Sequence, residues 1–438
     1  MEKRRKVLLQ INVCNNIYST GKIASSIGEL AIDNGWESYI AYGRSIKPSG
    51  NIPIKIGSRF GIMLHAFEQR FLDNTGLGWG SLLSTKRFIK EIERIKPDII
   101  HLHVLLGYYI NFKVLFEYLA TLDIPVVWTL HSCWELTGHC THYDYIGCEK
   151  WRTECNKCPL KKEYPQSIFI DRSSTNFRQK KKLFNSIKNL HLVAVSEWLR
   201  DQVSMSYLKS KPISIIYNGI DLDKFYPSEN ASLFKQRYAL DGYFVALGVA
   251  SAWTPKKGVS DYYELSKILP EGYKIIMIGL TTKQIAELPS NIIGVEKLTD
   301  VNEMRDAYSM ADVVLNLSYE ESFGLTTIEG FACGTPSIVY NRTASPELVS
   351  DETGYVVKAG DVRSVCQKMM EIKDKGKPSY SKACINRAKE CFDKDKNYMK
   401  YLELYDNLLT SQETVEPAWG GANYRTVISP YRLIRRAA

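Results

Sequence analysis

The stretch Glu321-Ser-Phe-Gly-Leu-Thr-Thr-Ile-Glu329 follows the apolar run Ala311-Asp-Val-Val-Leu-Asn-Leu-Ser318. Together they predict a strand, a short loop and a helix. The helix should end at Gly334-Thr-Pro336, because glycine suits a left-handed C-cap and proline cannot continue a helix. Ser337-Ile-Val-Tyr340 then resumes an extended pattern. Such strand–helix–strand units build parallel sheets, which bind ligands at the carboxyl ends of their strands.

The two glutamates of this stretch, with seven residues between them, fall at such a strand end. A helix that begins near Gly324 offers the backbone N–H groups of its first turn to a phosphate. Carboxylates such as Glu321 and Glu329 accept hydrogen bonds from sugar hydroxyls. An anion site beside a hydroxyl site points to a sugar nucleotide. Taken alone, the stretch is at least as typical of a solvated acidic loop at Glu320 and Glu321 followed by a surface helix.

The length and composition indicate an ordinary globular protein. The chain has 438 residues, of which 45% are hydrophobic and 24% charged, and this length favours two domains. The basic start Met1–Lys6 precedes the run Val7–Val13, which Gln10 and Asn12 interrupt, so a first strand is predicted and not a signal peptide. No apolar run is long enough to cross a bilayer, so we expect a cytoplasmic protein.

Charge and cysteine content narrow the classes of partner. The net charge of +9 favours anionic partners. The sequence contains no recognisable nucleic-acid module, so phosphorylated substrates or an anionic membrane surface are preferred over nucleic acid. The basic runs Lys3–Lys6 and Lys180–Lys182 are expected to be solvated faces. In the cytoplasm, the ten cysteines are expected to be thiols or metal ligands, not disulfides.

Strands and helices alternate in two series along the chain, which predicts two α/β domains in tandem with parallel sheets. The first series begins at Val7 and includes a helix from about Lys22 to Asn34. The second begins at Tyr243-Phe-Val-Ala-Leu-Gly-Val-Ala250. The turn Asn218-Gly-Ile-Asp221 marks the exit from the first domain.

The sequence around the two glutamates closely resembles the nucleotide-sugar half of glycosyltransferase family 4, whose hallmark is this E-x7-E element. The resemblance extends from Tyr308-Ser-Met-Ala-Asp312 to Thr353-Gly-Tyr-Val356. It implies the α/β GT-B fold, with two facing Rossmann-like domains and a central cleft. The expected parts are an N-terminal acceptor domain (1–217), a C-terminal nucleotide-sugar-binding domain (218–392), a helix that crosses back to the first domain (393–412) and a flexible basic tail (413–438). Trp419, Tyr424, Tyr431 and the arginines of that tail also suit a lipid headgroup zone.

The loop Ser251-Ala-Trp-Thr-Pro-Lys-Lys-Gly258 places Lys256 and Lys257 between a strand and a helix, where they could clamp a diphosphate or simply form a solvated turn. In family 4 a basic pair, usually Arg and Lys, neutralises the pyrophosphate of the donor. Lys257-Gly258 matches the Lys-Gly of the family, but the arginine is missing, so Lys256 would supply the second charge. Preorganised cations stabilise the charge that develops on the leaving diphosphate, and no catalytic metal is expected.

The resemblance also implies roles for the other site residues. Glu329 would hold the ribose and Glu321 the donor sugar. His131, after the strand Val126–Leu130, would lie at the reaction centre, although a lone histidine at a strand end is more often structural. The remaining donor-binding candidates are Ser322, Phe323, Gly324, Leu325 and Thr326. The candidates for an acceptor or phosphate loop are Gly21, Lys22 and His103.

The resemblance implies retention of anomeric configuration. Classical retaining hydrolysis needs two close carboxylates, one of them a nucleophile. Glu321 is the one candidate in the sequence, and the resemblance makes it a ligand of the sugar. We therefore expect a front-face mechanism, in which the departing phosphate takes the proton of the acceptor.

Four cysteines lie in a predicted insertion, residues 134–165, at Cys140, Cys148, Cys155 and Cys158. Four thiolates can hold a tetrahedral zinc ion, but only one pair has the tight C-x2-C spacing, so four unligated thiols fit equally well. The insertion resembles that of a subset of bacterial family 4 enzymes, including those for colanic acid. This supports a structural role for the insertion.

The sequence therefore predicts a retaining glycosyltransferase of bacterial surface polysaccharide biosynthesis. It would move a sugar from a UDP- or GDP-sugar to a saccharide acceptor, free or lipid-linked, in the cytoplasm or on the inner face of the cell membrane. Two alternatives are a GT-B nucleotide-sugar epimerase and a non-catalytic, zinc-bearing adaptor of a polysaccharide assembly complex.

Overall fold

The computed structural model describes residues 4–74 and 76–413. Its strands are β1 (Val7–Asn12), β2 (Glu37–Tyr42), β3 (Ile52–Lys55), β4 (Ile99–Leu102), β5 (Val126–Leu130), β6 (Leu190–Ala194), β7 (Ile213–Ile215), β8 (Phe244–Val249), β9 (Tyr273–Ile278), β10 (Ile292–Val295), β11 (Val313–Asn316), β12 (Ser337–Tyr340) and β13 (Gly354–Val357). Its α-helices are α1 (Tyr18–Asp33), α2 (Arg59–Leu72), α3 (Leu82–Ile95), α4 (Phe112–Leu119), α5 (Ser173–Ser186), α6 (Glu197–Ser204), α7 (Ala231–Arg237), α8 (Val259–Ile268), α9 (Thr282–Ala286), α10 (Val301–Met310), α11 (Leu325–Ala332), α12 (Ser345–Leu348), α13 (Val362–Lys375), α14 (Pro378–Cys391) and α15 (Lys394–Glu413).

The strands form two parallel sheets, which confirms the predicted α/β class. The first has the order β3-β2-β1-β4-β5-β6-β7 and the second the order β10-β9-β8-β11-β12-β13. Helices connect the strands, so the central strands are buried on both faces and read as nearly continuous apolar runs. The strand order reverses between β1 and β4 and again between β8 and β11, and such reversals open a crevice for ligands at the carboxyl ends of the strands.

Gly258 brings together the two loops at the reversal of the second sheet. It follows the loop after β8 and has a left-handed φ of 71°. A Cβ atom there would lie 2.2 Å from the carbonyl oxygen of Leu317, which directly follows the β11 strand. The Tyr319 N–H donates to the Lys256 carbonyl over 2.8 Å. The lysine loop and the glutamate loop are therefore locked backbone to backbone.

The last helix, α15, packs on the first sheet although it follows the second in sequence. Its Tyr398, Tyr401 and Tyr405 are buried in one core cluster with Leu8 of β1 and Val127 of β5. The Tyr405 hydroxyl lies 2.6 Å from His101 Nδ1, and the Thr129 hydroxyl donates to that of Tyr401 over 3.1 Å.

The start of α1 differs from the prediction. The helix begins at Tyr18 and not near Lys22, so Gly21 and Lys22 lie in its first turns and not in a connecting loop. The N-cap residue is Ile17, which supplies no side-chain hydrogen bond, so the sequence carried no capping signal. A Cβ at position 21 would lie 3.1 Å from the Cys14 carbonyl, so Gly21 packs the helix against the loop after β1.

None of the helices in the described ranges has the length and apolarity needed to cross a bilayer. The predicted basic tail lies outside the described residues beyond Glu413, the last residue of α15. The expectation of a lipid contact through Trp419, Tyr424 and Tyr431 therefore stays a prediction.

We expect Gly258→Ala to destabilise the protein more than Gly242→Ala. Both glycines have a positive φ, 71° and 77°, but a Cβ at Gly242 would meet no atom within 4 Å. The left-handed backbone costs a residue with a Cβ about 1–2 kcal/mol, and the clash with Leu317 should bring the loss at Gly258 to roughly 3 kcal/mol or more. Chemical denaturation of the two variants measures the difference. Equal losses would show that the two loops are not held by this contact.

Candidate active site

An ion pair lies at the carboxyl ends of β8 and β11. Lys257 Nζ and Glu321 Oε1 are 2.6 Å apart, and both side chains are partly exposed. The backbone N–H of Glu321 donates to the Thr343 hydroxyl over 2.9 Å, which fixes the loop that carries the carboxylate. The cation predicted for a phosphate and the carboxylate predicted for a sugar are thus direct neighbours.

Glu329 lies in the α11 helix, C-terminal to this pair. The Tyr308 hydroxyl donates to Glu329 Oε2 over 2.5 Å. Burial raises the pKa of Glu329 to about 7, while the Tyr308 hydrogen bond and the charge of Lys22 act in the opposite direction. Lys22 belongs to α1 on the first sheet, so it acts on this carboxylate from across the space between the two sheets.

Lys256 has two carboxylate partners. Its Nζ lies 2.6 Å from Glu163 Oε2 and 3.1 Å from Glu320 Oε2. Burial lowers the pKa of Lys256, but the two carboxylates outweigh it and the net shift is upward. Glu320 is only 5% exposed and also accepts the Tyr145 N–H over 2.9 Å. The interpretation of Glu320 as a solvated loop residue is therefore wrong, because it is a buried bridge between the insertion and the second sheet.

His131 and His103 belong to one hydrogen-bonded chain. His131 Nε2 lies 3.2 Å from His103 Nδ1, and His103 Nε2 lies 3.0 Å from Gln10 Oε1. Gln10 Nε2 donates to the Ala24 carbonyl over 2.8 Å, which leaves its oxygen to accept from His103. Burial lowers the pKa of His131 to about 4, so the ring is neutral near pH 7. In this chain His131 Nε2 carries the proton, and Nδ1 is left as a hydrogen-bond acceptor.

Ser322 brings the two halves of the site together. Its hydroxyl donates to the His131 carbonyl over 2.7 Å, so the glutamate loop touches the end of β5. Phe323 is buried against the rings of Tyr217 and Phe392. Gly324 takes a φ of 110°, and α11 begins at the next residue, so Leu325 and Thr326 form its first turn. Gly21 and Phe323, both predicted site residues, thus have packing roles that the geometry already explains.

The insertion contributes a residue that sequence reasoning missed. Burial and the ammonium groups of Lys257 and Lys256 lower the pKa of His142 to about 4, while Glu321 acts to raise it. His142 therefore lies within electrostatic reach of the lysines and the glutamate. In the sequence it stands out only as a neighbour of the cysteines, so no motif could have assigned it to this site.

The four predicted zinc ligands line one small cavity within the insertion. All four cysteines have free thiols, and Cys155 Sγ accepts the Gly138 N–H over 3.3 Å. Across the described part of the chain, no group of three or more His, Cys, Asp or Glu side chains has an arrangement that could hold a metal ion. The sulfur atoms converge without forming such a group, so the structural zinc stays a prediction.

Lys180 holds the base of the insertion. Its Nζ donates to the carbonyls of Trp134 and Thr137 over 2.7 and 3.1 Å and lies 3.5 Å above the Trp134 ring. The side chain is fully buried, and burial lowers its pKa to about 7. The interpretation of Lys180–Lys182 as a solvated run is therefore wrong for its first member, although Lys181 and Lys182 are exposed.

Solved structures with a similar fold support this two-sheet arrangement. The sucrose-phosphate synthase of Thermosynechococcus elongatus matches with a TM-score of 0.68 and 16% identity, over 93% of this chain and 100% of that one. The Anabaena protein HepE, solved with UDP, matches with a TM-score of 0.62 and 15% identity, over 92% of this chain and 100% of that one. The overall architecture is the GT-B fold.

Two family models match successive parts of the chain. Residues 32–224 match Glycosyltransferase Family 4, and residues 235–391 match Glycosyl transferases group 1. WcaC of Escherichia coli (strain K12), named as a glycosyl transferase of colanic acid biosynthesis, is 24% identical over 71% of this chain and 77% of its own length. The O-antigen chain mannosyltransferase RfbU of Salmonella typhimurium is 29% identical over 38% of this chain and 46% of its own length. The chain therefore carries a Glycosyltransferase Family 4 domain followed by a Glycosyl transferases group 1 domain, and it is a glycosyltransferase of the hexosyltransferase type.

Proposed function

We propose that this glycosyltransferase moves a sugar from a UDP- or GDP-sugar to a saccharide acceptor, free or lipid-linked, with retention of anomeric configuration. The relatives named for colanic acid and O-antigen support a role in surface polysaccharide biosynthesis. A Campylobacter jejuni relative, 27% identical over 46% of this chain, is named for transfer to a diphospho-undecaprenol-linked sugar, which supports a lipid-linked acceptor. HepE has been solved in complex with UDP and with UDP-glucose, which supports a nucleotide-sugar donor.

The observation that carries this proposal is the Lys257–Glu321 pair, 2.6 Å apart at the reversal of the second sheet, with Glu329 further along the helix that follows. A sugar diphosphate needs a cation and a hydroxyl acceptor side by side, and the pair offers both. In the proposed complex Glu329 accepts the ribose hydroxyls and Glu321 those of the donor sugar. Lys257, Lys256 and the first turn of α11 hold the diphosphate.

The chemistry proposed here needs no carboxylate nucleophile. The bond between the anomeric carbon and the diphosphate oxygen breaks, and the acceptor oxygen bonds to the same face of that carbon. The acceptor proton passes to the departing phosphate oxygen. Lys257 stabilises the negative charge that develops on the diphosphate, most strongly where water is excluded. His131 Nδ1 accepts a hydrogen bond from a hydroxyl of the donor sugar and so positions the reacting ring.

The acceptor enters from the side of the first sheet in this proposal. Gly21, Lys22 and His103 lie at or near the carboxyl ends of β1 and β4, where the strand order of that sheet reverses. His103 acts through His131, because its two ring nitrogens are engaged with His131 and Gln10. A lipid-linked acceptor would place the enzyme on the inner face of the cell membrane.

Thermal unfolding with a panel of UDP-, GDP-, ADP- and dTDP-sugars, in the presence of EDTA, tests the donor site. A donor at about a hundred times its dissociation constant should stabilise the protein by roughly 2.7 kcal/mol. We expect UDP- or GDP-sugars to stabilise it, and NMR of the transferred sugar to show the anomeric configuration of the donor. An inverted product would overturn the front-face mechanism, and no stabilisation by any donor would overturn the donor site.

Binding of the intact donor should depend on the ionisation of Glu329. Glu329 has a pKa of about 7 in the free protein, so its carboxyl group is protonated below that pH. The group must lose this proton before it can accept hydrogen bonds from the ribose hydroxyls. The donor dissociation constant should fall about tenfold per unit as the pH rises from about 5 to 7 and then level off. The diphosphate of a nucleotide sugar does not titrate in this window, and neither does His131 or His142, whose pKa values are about 4.

Calorimetry at several pH values measures how the donor dissociation constant depends on pH, and Glu329→Gln should flatten this dependence. An unchanged slope in that variant would remove Glu329 from the ribose site.

Glu320 and Glu321 are adjacent, but we expect the loss of Glu320 to lower stability and the loss of Glu321 to lower turnover. Glu320→Ala leaves the Lys256 ammonium and the Tyr145 N–H without a buried carboxylate, so unfolding free energy should fall by about 2–4 kcal/mol. Glu321→Ala removes a partly exposed ion pair, so stability should change by less than about 1 kcal/mol, while turnover falls roughly 100-fold or more. Melting curves and initial rates of the two variants separate the roles. A large loss of stability in Glu321→Ala would show a structural residue.

A further inference from the structure

Helix α2 is amphipathic in the reverse sense to a normal surface helix. Its buried residues are Gly61, His65, Glu68 and Gln69. Most of its large apolar residues face outward, with Phe60 76%, Met63 70% and Phe67 60% exposed, whereas Ile62 packs against the core. A surface helix normally buries its apolar stripe and exposes its polar one. Positions 60, 63, 64, 67 and 71 are spaced as one helical face, so the exposed apolar residues form a continuous stripe.

Hydrogen bonds fix the orientation of α2. His65 Nε2 accepts the Gly78 N–H over 3.2 Å, and Gln69 Nε2 donates to the Pro165 carbonyl over 3.3 Å. A Cβ at Gly61 would lie 2.6 Å from the Gly80 carbonyl, so the helix rests directly on the backbone that follows it. Rotation of the helix to bury its apolar face would break these contacts. The outward stripe is therefore a fixed feature of the folded protein.

Neighbouring segments extend the stripe into what we call the α2 patch, defined as Phe60, Met63, Phe67, Trp79, Leu83 and Phe169. Trp79 is 72%, Leu83 65% and Phe169 68% exposed. The Phe71 ring joins Phe67 to Phe169, with ring centres 4.4 and 5.8 Å from those two rings. The Ile168 N–H also donates to the Arg70 carbonyl over 2.8 Å, which ties the Phe169 segment to the end of α2. Contiguous exposed apolar residues of this kind are typical of an interaction surface.

The charges around the α2 patch are basic. Helix α2 has two exposed charged residues, Arg59 and Arg70. Its one acidic residue, Glu68, is buried, so the exposed charge of the helix is positive. On α3, Leu83 shares one helical face with Lys86, Arg87 and Lys90, all three of which are exposed. Aromatic and aliphatic side chains rimmed by arginine and lysine match the boundary between the acyl chains and anionic headgroups of a bilayer.

We propose that the α2 patch inserts into the surface of a membrane that contains anionic lipid. Helix α2 follows the carboxyl end of β3, the same edge of the parallel first sheet that carries His131 after β5. Docking through this face would bring that edge towards the lipid surface. The inference deepens the proposed function, because it names the face through which a lipid-linked acceptor is reached, and only in that respect does it rest on the proposed function.

Vesicle flotation of the full chain tests the membrane surface without any substrate. The wild-type protein should bind vesicles of phosphatidylcholine and phosphatidylglycerol, and more weakly those of phosphatidylcholine alone. Phe60→Ser with Phe67→Ser should lower partition into the mixed vesicles at least tenfold, without loss of melting temperature, because both rings are already exposed. The matched control is Leu233→Ser with Met370→Ser, which are 60% and 43% exposed on helices of the second domain and should bind as the wild type does.

A second pair of variants separates charge from apolar insertion. Arg59→Gln with Arg70→Gln should reduce binding to the mixed vesicles and its sensitivity to salt, and leave the weak binding to phosphatidylcholine unchanged. Equal losses in the serine variant and its control would overturn the inference. So would a concentration-dependent dimer of the wild type that Phe60→Ser with Phe67→Ser dissolves, because a second copy would then cover the patch.

The two measurements together distinguish a failure of the membrane surface from a failure of the proposed function. Donor stabilisation without vesicle binding would overturn the membrane surface alone. Vesicle binding without stabilisation by any nucleotide sugar would overturn the donor site and leave the membrane surface standing.

Discussion

The close approach of Gly258 to the Leu317 carbonyl is the constraint on which the candidate site depends. A parallel sheet creates a crevice wherever its strand order reverses, but the width of that crevice depends on how near its two loops come. Here the loops after β8 and β11 touch through their backbones, with no room for a Cβ atom at position 258. Lys257 stands next to this contact and Glu321 four residues beyond Leu317, so the 2.6 Å ion pair is a consequence of the backbone packing.

The insertion of the first domain completes the crevice from the opposite side. Glu163 lies 2.6 Å from Lys256, Glu320 accepts the Tyr145 N–H, and the charges of both lysines lower the pKa of His142. A buried ion pair is worth little on its own, because desolvation offsets the attraction between the charges. The contacts of Lys256 therefore specify where the insertion lies more than they stabilise the fold. Lys180 supports the same insertion from below through the Trp134 and Thr137 carbonyls.

The sequence predicted the parts of the structure that local patterns determine. The apolar runs of the central strands and the helix that ends before Pro336 are features of short segments, and the parallel sheets follow from their alternation. The orientation of α2 was out of reach, because period-based reasoning assumes that the apolar face of a helix is buried. Glu320 and Glu321 read alike in sequence, yet one is buried by Tyr145 and Lys256 and the other is not. That difference arises from a segment 175 residues away, which no local pattern contains.

The arrangement of charges also bears on how a donor would enter. In the free protein Lys257 is paired with Glu321, and Lys256 lies between Glu163 and Glu320. Two ammonium groups thus meet three carboxylates, so the crevice does not present an open cationic site to a diphosphate. In the proposed complex the phosphates replace carboxylate oxygens around the lysines, and the sugar hydroxyls replace the ammonium group at Glu321. Such an exchange keeps every charge partnered at each stage, which avoids the cost of leaving a partly buried charge alone.

Glu163 is the carboxylate that a phosphate can displace most easily, because it is the most exposed of the three, at 47%. Since Glu163 belongs to the insertion, donor binding and the position of the insertion are physically coupled in this proposal.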